Sequence, residues 1–511
     1  MNNFFEIIEL HAQQHPNEIA LISDDLQLSY SDLVKKVDIL ANWLLEAGIG
    51  RAGLWGENSI EWIIADLAAW KARISLVPLP RFFSVNQLQH VIHQSDLACM
   101  LVVGEMDLIV PINERVPTSV PNIYCDHLQS MGHYQAIGRI RKITYTSGTT
   151  GVPKGVCLTN ESLQNVTGAL AERIYSSADS SLQLNRHFTV LPLSTLLENI
   201  AGVYVPLLLG KAIVVLNGPS IGLLGSSELS VPTLLKRLHQ YQANSLIALP
   251  QILMAFVEAS VQGFPLPASL RFIALGGART SIQLLNRAHA LKIPVYEGYG
   301  LSECASVVSL NSPRANKLGS VGKPLGHVQV KIEQGEIKVR GNTFSGYLGQ
   351  DSHSADDWLD TGDLGYMDEE GFLFITGRKK NLLISSFGRN ISPEWVESEL
   401  ALCRSIRQCM VVGDAQPFCS AIVVPSSEQV TAKQIGQDIT RTNQQLPDYA
   451  KIKKFIVTPE PFTSRNQLLT DNGRLRRSEI AAYYRGEIAA IYSNPAFCLS
   501  SQHAGVVYDI L

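Results

Sequence analysis

The chain has little of what would mark a small secreted or a nucleic-acid-binding protein. Its eight cysteines (Cys99, Cys125, Cys157, Cys304, Cys403, Cys409, Cys419 and Cys498) are scattered through 511 residues with no Cys-x-x-Cys pair. That excludes a zinc ribbon and a dense disulfide framework, and it fits a reducing cytoplasm. Basic excess is missing too: 42 Lys and Arg stand against 46 Asp and Glu, a net charge of −4. Nucleic acid is therefore not an expected partner, and an anionic membrane is not the main one. The opening MNNFFEIIEL has no Lys or Arg ahead of its apolar residues and carries Glu6 and Glu9 among them, unlike a signal peptide. No apolar run reaches the ~20 residues of a membrane span. The nearest candidate, Ile200 to Leu216, is interrupted by Pro206 and Lys211 and reads as a buried element, which leaves room for peripheral membrane contact only. Repeats, low-complexity segments and long linkers are absent.

What is present is a chain able to bury a core: 46% of residues are hydrophobic and only 17% charged. Its length corresponds to roughly three domains, or to one large domain plus a small one. Short apolar runs bounded by turn residues read as buried strands: Ile143–Thr146, Phe188–Leu191, Ala212–Leu216, Ser245–Leu249, Phe272–Leu275 and Pro294–Tyr296. Between them lie amphipathic patterns such as Val231–Gln242, with Leu234, Leu235 and Leu238 on one face. Strand–helix alternation at this spacing predicts an α/β fold of layered, substantially parallel sheets and helices. Over about 328–376 the period shortens to strand-like alternation, which predicts a β-rich subdomain. A last quarter carries its own helix (Pro393–Leu402) and strands (Cys409–Val412, Ala421–Val424), an α+β pattern. The expected division is a large domain over 1–380 and a small, mobile domain over 381–511.

The most informative segment is Tyr145-Thr146-Ser147-Gly148-Thr149-Thr150-Gly151-Val152-Pro153-Lys154-Gly155, which follows an expected strand. Hydroxyls, glycines and a closing lysine are what a phosphate-cradling loop needs: glycines let backbone N–H groups approach oxygens, hydroxyls donate, and Lys154 supplies a point charge. The spacing is not that of a P-loop, because Lys154 stands between Pro153 and Gly155. Further on stand Gly276-Gly277-Ala278, Tyr296-Glu297-Gly298-Tyr299-Gly300-Leu301-Ser302-Glu303, Gly335-Glu336-Ile337-Lys338-Val339-Arg340-Gly341, Trp358-Leu359-Asp360-Thr361-Gly362-Asp363 and Gly377-Arg378-Lys379-Lys380.

In kind and in order these segments resemble the motifs of the acyl-adenylate-forming superfamily: acyl-CoA synthetases, adenylation domains and firefly luciferase. The resemblance spans essentially the whole chain and is nearest to the fatty-acid-activating members. It implies an AMP-forming ligase that activates a carboxylic acid with Mg·ATP to acyl-AMP and pyrophosphate. The acyl group then passes to a thiol, of CoA or of a carrier protein's pantetheine. By this resemblance Thr146, Ser147, Gly148, Thr149, Thr150, Gly151 and Lys154 hold phosphates. Gly276, Gly277, Ala278, Glu297, Gly298, Tyr299, Gly300 and Ser302 surround the adenine and the α-phosphate. Asp363 and Arg378 hold the ribose, Glu303 and Thr146 approach Mg²⁺, and Lys380 is the hinge.

Each role has a physical basis. Gly276 and Gly277 let a backbone lie flat against a base, Tyr299 offers a stacking face, and Glu303 is a hard oxygen ligand suited to Mg²⁺. Asp363 can accept from two ribose hydroxyls, and taken alone it reads equally as a solvated turn residue.

Three places are distinctive. In Leu191-Pro192-Leu193-Ser194-Thr195-Leu196-Leu197-Glu198, Thr195 stands where the family motif has His. Ser194 and Thr195 are thus either part of the acyl site or the cap of a helix. The amino-acid-activating members of the family hold an α-ammonium with the Asp of a Phe-Asp pair ahead of this motif. No such pair precedes Leu191, so the resemblance implies a substrate without an amine, a fatty or other hydrophobic acid. Gly388, in Ser385–Glu394, matches the thiol-tunnel segment. Arg474 stands where the family has the adenylating Lys. It is read as doing that lysine's job, as slowing the first step, or as a sign that the chain binds without turnover. The alternative functions are accordingly a non-catalytic acyl-AMP or nucleotide-binding homologue, and an adenylating enzyme serving an amine acceptor.

Overall fold

The computed structural model describes residues 3–104, 110–128, 138–146, 153–175, 184–224, 228–470, 473–493 and 506–509. Two large sheets dominate. In one, the strands run in the spatial order Ile112–Pro117, Ile123–Leu128, Cys99–Val103, Arg51–Trp55, Ser75–Pro78, Ile140–Thr146, Lys154–Thr159. Its central strands are parallel and its margins antiparallel. The other is centred on the parallel strands Val295–Tyr299, Phe272–Leu275, Ser245–Ala248, Arg186–Phe188 and Ala212–Val214. Each expected strand has a counterpart with ends shifted by no more than three residues: Phe272–Leu275 is unshifted, while the expected Phe188–Leu191 overlaps Arg186–Phe188 only at Phe188. Runs that are apolar on both faces form parallel strands here because helices cover both sides of the sheet.

The helix Ile60–Lys71 shows why the two sheets belong to one core. Every side chain from Ile60 through Trp70 except Glu61 is buried, including Asp66. A buried carboxylate is costly unless paired and hydrogen-bonded. Lys142, buried in the strand Ile140–Thr146, donates to Asp66 Oδ1 at 2.7 Å and to the Tyr204 hydroxyl at 2.6 Å, and it also reaches Asn199 Oδ1. Asn199 Nδ2 and the Tyr204 hydroxyl close the network on Asp66 Oδ2 at 2.9 and 2.5 Å. Burial pushes the Lys142 ammonium below its ordinary pKa, and Asp66 opposes that.

The stretch Ile200–Leu216 is buried, as expected, but not as a single element. Its first half lies in a π-helical turn, Glu198–Tyr204, followed by the short helix Val205–Leu208 and the strand Ala212–Val214. Among the described residues no helix is long and apolar enough to cross a membrane.

The β-rich region is a four-stranded antiparallel sheet: Val328–Glu333, Glu336–Gly341, Leu359–Met367 and Leu373–Arg378. Beyond it, Ile406–Val412, Cys419–Pro425, Ile452–Val457 and Val506–Asp509 form a further sheet. The helix Pro393–Leu400 buries Val396 and Leu400 in the core of this C-terminal sheet and also touches the body. There Glu399 accepts from Ser281 Oγ at 2.8 Å, and Ser281 in turn caps the helix Ile282–Ala290.

Candidate active site

The phosphate-loop candidates begin and end on adjacent strands. Thr146 and Lys154 are register partners at the open end of an antiparallel pair, Ile140–Thr146 with Lys154–Thr159. A hydroxyl and an ammonium therefore bracket the loop from opposite sides. Ser147, Gly148, Thr149, Thr150 and Gly151 lie outside the described residues.

The strand Lys154–Thr159 is locked on its other side by residues 345–348. Ser345 N donates to Cys157 O, Cys157 N to Gly346 O and Leu348 N to Gly155 O, at 2.9, 3.1 and 2.8 Å. This pairing carries Tyr347 beneath Lys154, whose Nζ stands 5.2 Å from the ring centroid. The Tyr347 hydroxyl donates to Glu303 Oε1 at 2.7 Å, and Phe344 N donates to the Glu303 backbone carbonyl, also at 2.7 Å. Burial and the Glu303 carboxylate push the Tyr347 phenol far up, so it stays a donor. Glu303 Oε2 accepts no hydrogen bond among the described residues. A hard carboxylate oxygen beside the phosphate loop is a donor set that suits Mg²⁺ held jointly with phosphate oxygens.

Asp363 needs a correction: it is no solvated turn residue. It sits within the strand Leu359–Met367 at 3% exposure, opposite Arg378 on Leu373–Arg378. Arg378 Nε bonds Asp363 Oδ1 at 2.7 Å, and the Tyr299 hydroxyl donates to Oδ2 at 2.7 Å. Burial and the Asp363 carboxylate raise the Tyr299 phenol well above its ordinary pKa. Tyr299 closes the strand Val295–Tyr299, so this contact joins the β-rich sheet to the main one.

Glycines Gly276 and Gly277 follow the neighbouring strand Phe272–Leu275. Gly277 has φ +84, and a Cβ there would stand 2.7 Å from Leu249 Cδ2, so the bend requires glycine. A Cβ built on Gly276 would lie 3.7 Å from the carbonyl of Gly298 and 3.9 Å from Leu197 Cδ2. Gly276 thus lies against the Gly298 carbonyl and Leu197, with Ala278 exposed two residues on. Glu297, half-buried on the same strand as Gly298, has its carboxyl pushed up to about 8 by burial, against the pull of the Gly319 N–H and Arg279. Ser302 and Gly300 flank the turn that leads to Glu303, and that turn continues through Ala305 and Ser306 at positive φ (52° and 92°).

Arg474 arrives from the C-terminal part. Its Nη2 donates to Gly277 O at 3.3 Å. Although the residue is exposed, desolvation of its tip and the neighbouring Arg378 lower its pKa, while Asp363 and Glu303 pull the other way. A guanidinium stays charged throughout. Arg474 thus lies within electrostatic reach of Arg378, Asp363 and Glu303. Lys380 lies in a cavity of about 250 Å³ bounded by Thr361, Gly362, Arg378, Lys379 and Lys380. Burial and then Arg378 lower the Lys380 pKa.

Ser194, Thr195 and Gly388 lie in local turns. The Thr195 hydroxyl donates to Pro192 O at 2.6 Å and closes a turn; neither Ser194 nor Thr195 caps the π-helical turn that follows. Gly388 is at the tip of the hairpin Leu383–Ile384/Asn390–Ile391, and its N–H bonds Ser385 O within that hairpin. Tyr347 escaped the sequence reading. The only local signal is Gly346-Tyr347-Leu348-Gly349, and its partner Glu303 is 44 residues away.

A model of the AMP-binding enzyme family matches residues 8–348, and a model of the AMP-binding enzyme C-terminal domain matches residues 380–496. The chain belongs to the AMP-binding enzyme family. Among relatives of this AMP-binding enzyme, 2-succinylbenzoate–CoA ligase of Staphylococcus epidermidis is 27% identical over 482 residues, covering 90% of this chain and 95% of the relative. Long-chain-fatty-acid–CoA ligase FadD15 of Mycobacterium bovis is 27% identical over 533 residues, covering 87% and 88%. Among solved structures, o-succinylbenzoate CoA synthetase (MenE) from Bacillus subtilis, in complex with the acyl-adenylate intermediate OSB-AMP, is similar with TM-score 0.73 and 25% identity, covering 93% and 97%. The same synthetase in complex with ATP and magnesium ion gives TM-score 0.72 at 25% identity, covering 93% and 98%. The α/β fold, with a large N-terminal and a small C-terminal domain, is that of these adenylate-forming ligases.

Proposed function

We propose that this AMP-forming acid–CoA ligase activates a monocarboxylic acid with an apolar body, fatty or aryl, and passes the acyl group to CoA in the cytoplasm, where ATP and CoA meet. The acid's carboxylate attacks the α-phosphorus of ATP and pyrophosphate leaves; the CoA thiol then attacks the acyl carbon and AMP leaves. Mg²⁺ bound with ATP would neutralise phosphate charge, and Glu303 is the residue to hold it, with Thr146 beside the loop. Lys154 sits to bind the outer phosphates. Asp363 and Arg378 sit to orient the ribose, with Tyr299 fixing the Asp363 carboxylate.

The observation that carries this reading is Arg474. It crosses from the C-terminal part to bond Gly277 O, within electrostatic reach of Glu303, Asp363 and Arg378. A fixed cation at that point can neutralise the charge that develops between carboxylate and α-phosphate. This supports the reading of Arg474 as doing the family lysine's work, over that of a protein that only binds. The part beyond Lys380 serves as a lid, turning at Lys380 to withdraw Arg474 and present the Gly388 hairpin for the thiol step.

Leu197 and Leu249 at the glycine bend favour an apolar acid body, and the named relatives include one ligase for an aryl diacid and one for fatty acids. Those relatives are CoA ligases, which favours CoA over a carrier protein or an amine. The test is acid-dependent ATP–pyrophosphate exchange across fatty, aryl and amino acids, followed by CoA-dependent AMP release. Exchange with fatty or aryl monoacids and thioester formation with CoA are expected. Absence of exchange with every acid would return the chain to a binding role.

A further inference from the structure

The segment Leu191–Thr195 has no regular structure, and it leads into Leu197, whose Cδ2 would stand 3.9 Å from a Cβ built on Gly276. Its backbone is held by two side chains from different parts of the molecule. Asn58, placed between the strand Arg51–Trp55 and the helix Ile60–Lys71 of the first sheet's layer, donates from Nδ2 to Leu191 O at 2.9 Å. It also accepts from Leu193 N on Oδ1 at 2.8 Å. From the other side Glu198 Oε2 accepts from Leu191 N at 3.0 Å.

Glu198 is itself fixed. His187 Nε2 meets its Oε1 at 3.2 Å, and His187 Nδ1 meets Ser245 Oγ at 3.0 Å. All three residues are buried. Gly202, one π-helical turn on, makes room for the pair: a Cβ there would stand 2.4 Å from Glu198 Oε1 and 2.9 Å from His187 Nε2. The lower clasp is thus built into the second sheet. The upper clasp, Asn58, reaches across from the first.

We infer that Asn58 is a positioning residue for the acid substrate: by using both ends of its carboxamide on Leu191 O and Leu193 N, it sets the wall against which the acid's carboxylate end is held. The inference rests on the reading of this region as the acid site. It goes beyond that reading in naming a residue that acts through the backbone of Leu191 and Leu193.

The chemistry makes the claim specific. Only a group that donates and accepts side by side can satisfy an adjacent C=O and N–H. Asp has the size of Asn but no N–H, so it would set a second acceptor against Leu191 O. Ala would leave both backbone groups to water. The expected order of damage to the acid site is Asp, then Ala, then wild type.

The experiment uses the full chain and the acid that gives the fastest exchange in the wild-type screen. In Asn58→Asp the KM for that acid should rise at least 20-fold, and in Asn58→Ala about 5-fold. The ATP dissociation constant, measured by calorimetry, should stay within twofold in both. A residue that merely holds the fold would lower the melting temperature, or weaken acid and ATP alike, without this split. Either result, or an unchanged acid KM in both variants, would overturn the inference. If Asn58→Asp does not fold, Asn58→Ala decides by the same split. A wild-type protein that exchanges with no acid would instead overturn the reading of the acid site, and the inference with it.

Discussion

Asp363 and Arg378 are cross-strand partners whose carboxylate and guanidinium meet at 2.7 Å, and Tyr299 occupies the remaining carboxylate oxygen. In the proposed function a ribose bound here would share or displace these hydrogen bonds, so the pair would serve both the sheet and the ligand. Asp363→Ala should weaken ATP binding by about 1.5–3 kcal/mol, the worth of hydrogen bonds to a charged group. It should also lower the melting temperature, because the Tyr299 hydroxyl and Arg378 lose a shared partner. Calorimetric titration with ATP and a thermal melt check both halves. Unchanged ATP affinity beside a lower melting temperature would leave Asp363 as sheet structure alone.

Arg474→Ala should abolish most acyl-AMP formation while leaving ATP affinity within a few-fold of wild type. The charge matters most in the transition state, so the loss should fall on kcat more than on KM. Thioester formation from synthetic acyl-AMP should persist. Single-turnover measurements of the two half-reactions separate these outcomes. Arg474→Lys tests whether a compact ammonium can replace the planar fork in this cleft.

The Lys142–Asp66 pair predicts a stability effect far from chemistry. Lys142→Met leaves Asp66 buried without its cation, and breaking one side of a buried pair costs about 3–5 kcal/mol. Denaturant unfolding should show that loss.

Glu297 predicts a pH dependence. Its carboxyl titrates near 4.5 when unfolded and at about 8 in the folded chain, so the native state holds the proton more tightly between those values. Its contribution to stability is therefore fully present below about 4.5, declines as pH rises, and is lost above about 8. Melting temperatures across that range should fall less steeply in Glu297→Gln than in wild type. Parallel profiles would mean that Glu297 ionises normally.

Legibility followed the physics of each element. Ser245–Ala248 and Phe272–Leu275 could be read almost to the residue, because strands buried on both faces are short, almost wholly apolar and bounded by turn residues. The strand around Asp363 could not. Leu359–Met367 contains Gly362, Gly365 and two aspartates, a composition that local rules assign to a turn and that only its neighbours in the sheet make a strand. The family was readable from its motifs because their residue types and order recur along most of the chain, where the family models match residues 8–348 and 380–496. Tyr347 and Asn58 were not, since each acts on a partner 44 or at least 133 positions away and nothing beside it in the chain announces the pairing.

The facing of Thr146 and Lys154 has a consequence for how such a loop can change over time. Below it the ladder continues through Tyr145 with Gly155, Thr144 with Val156 and Ile143 with Cys157, so the register is fixed by the hairpin rather than by the loop. Closing the chain at that point is accomplished when the protein folds, and nucleotide binding does not have to repeat it. Residues between the two anchors can be exchanged, and the loop shortened or lengthened, without sliding the hydroxyl past the ammonium. Selection can therefore vary the residues between Thr146 and Lys154 while these two posts stay in place.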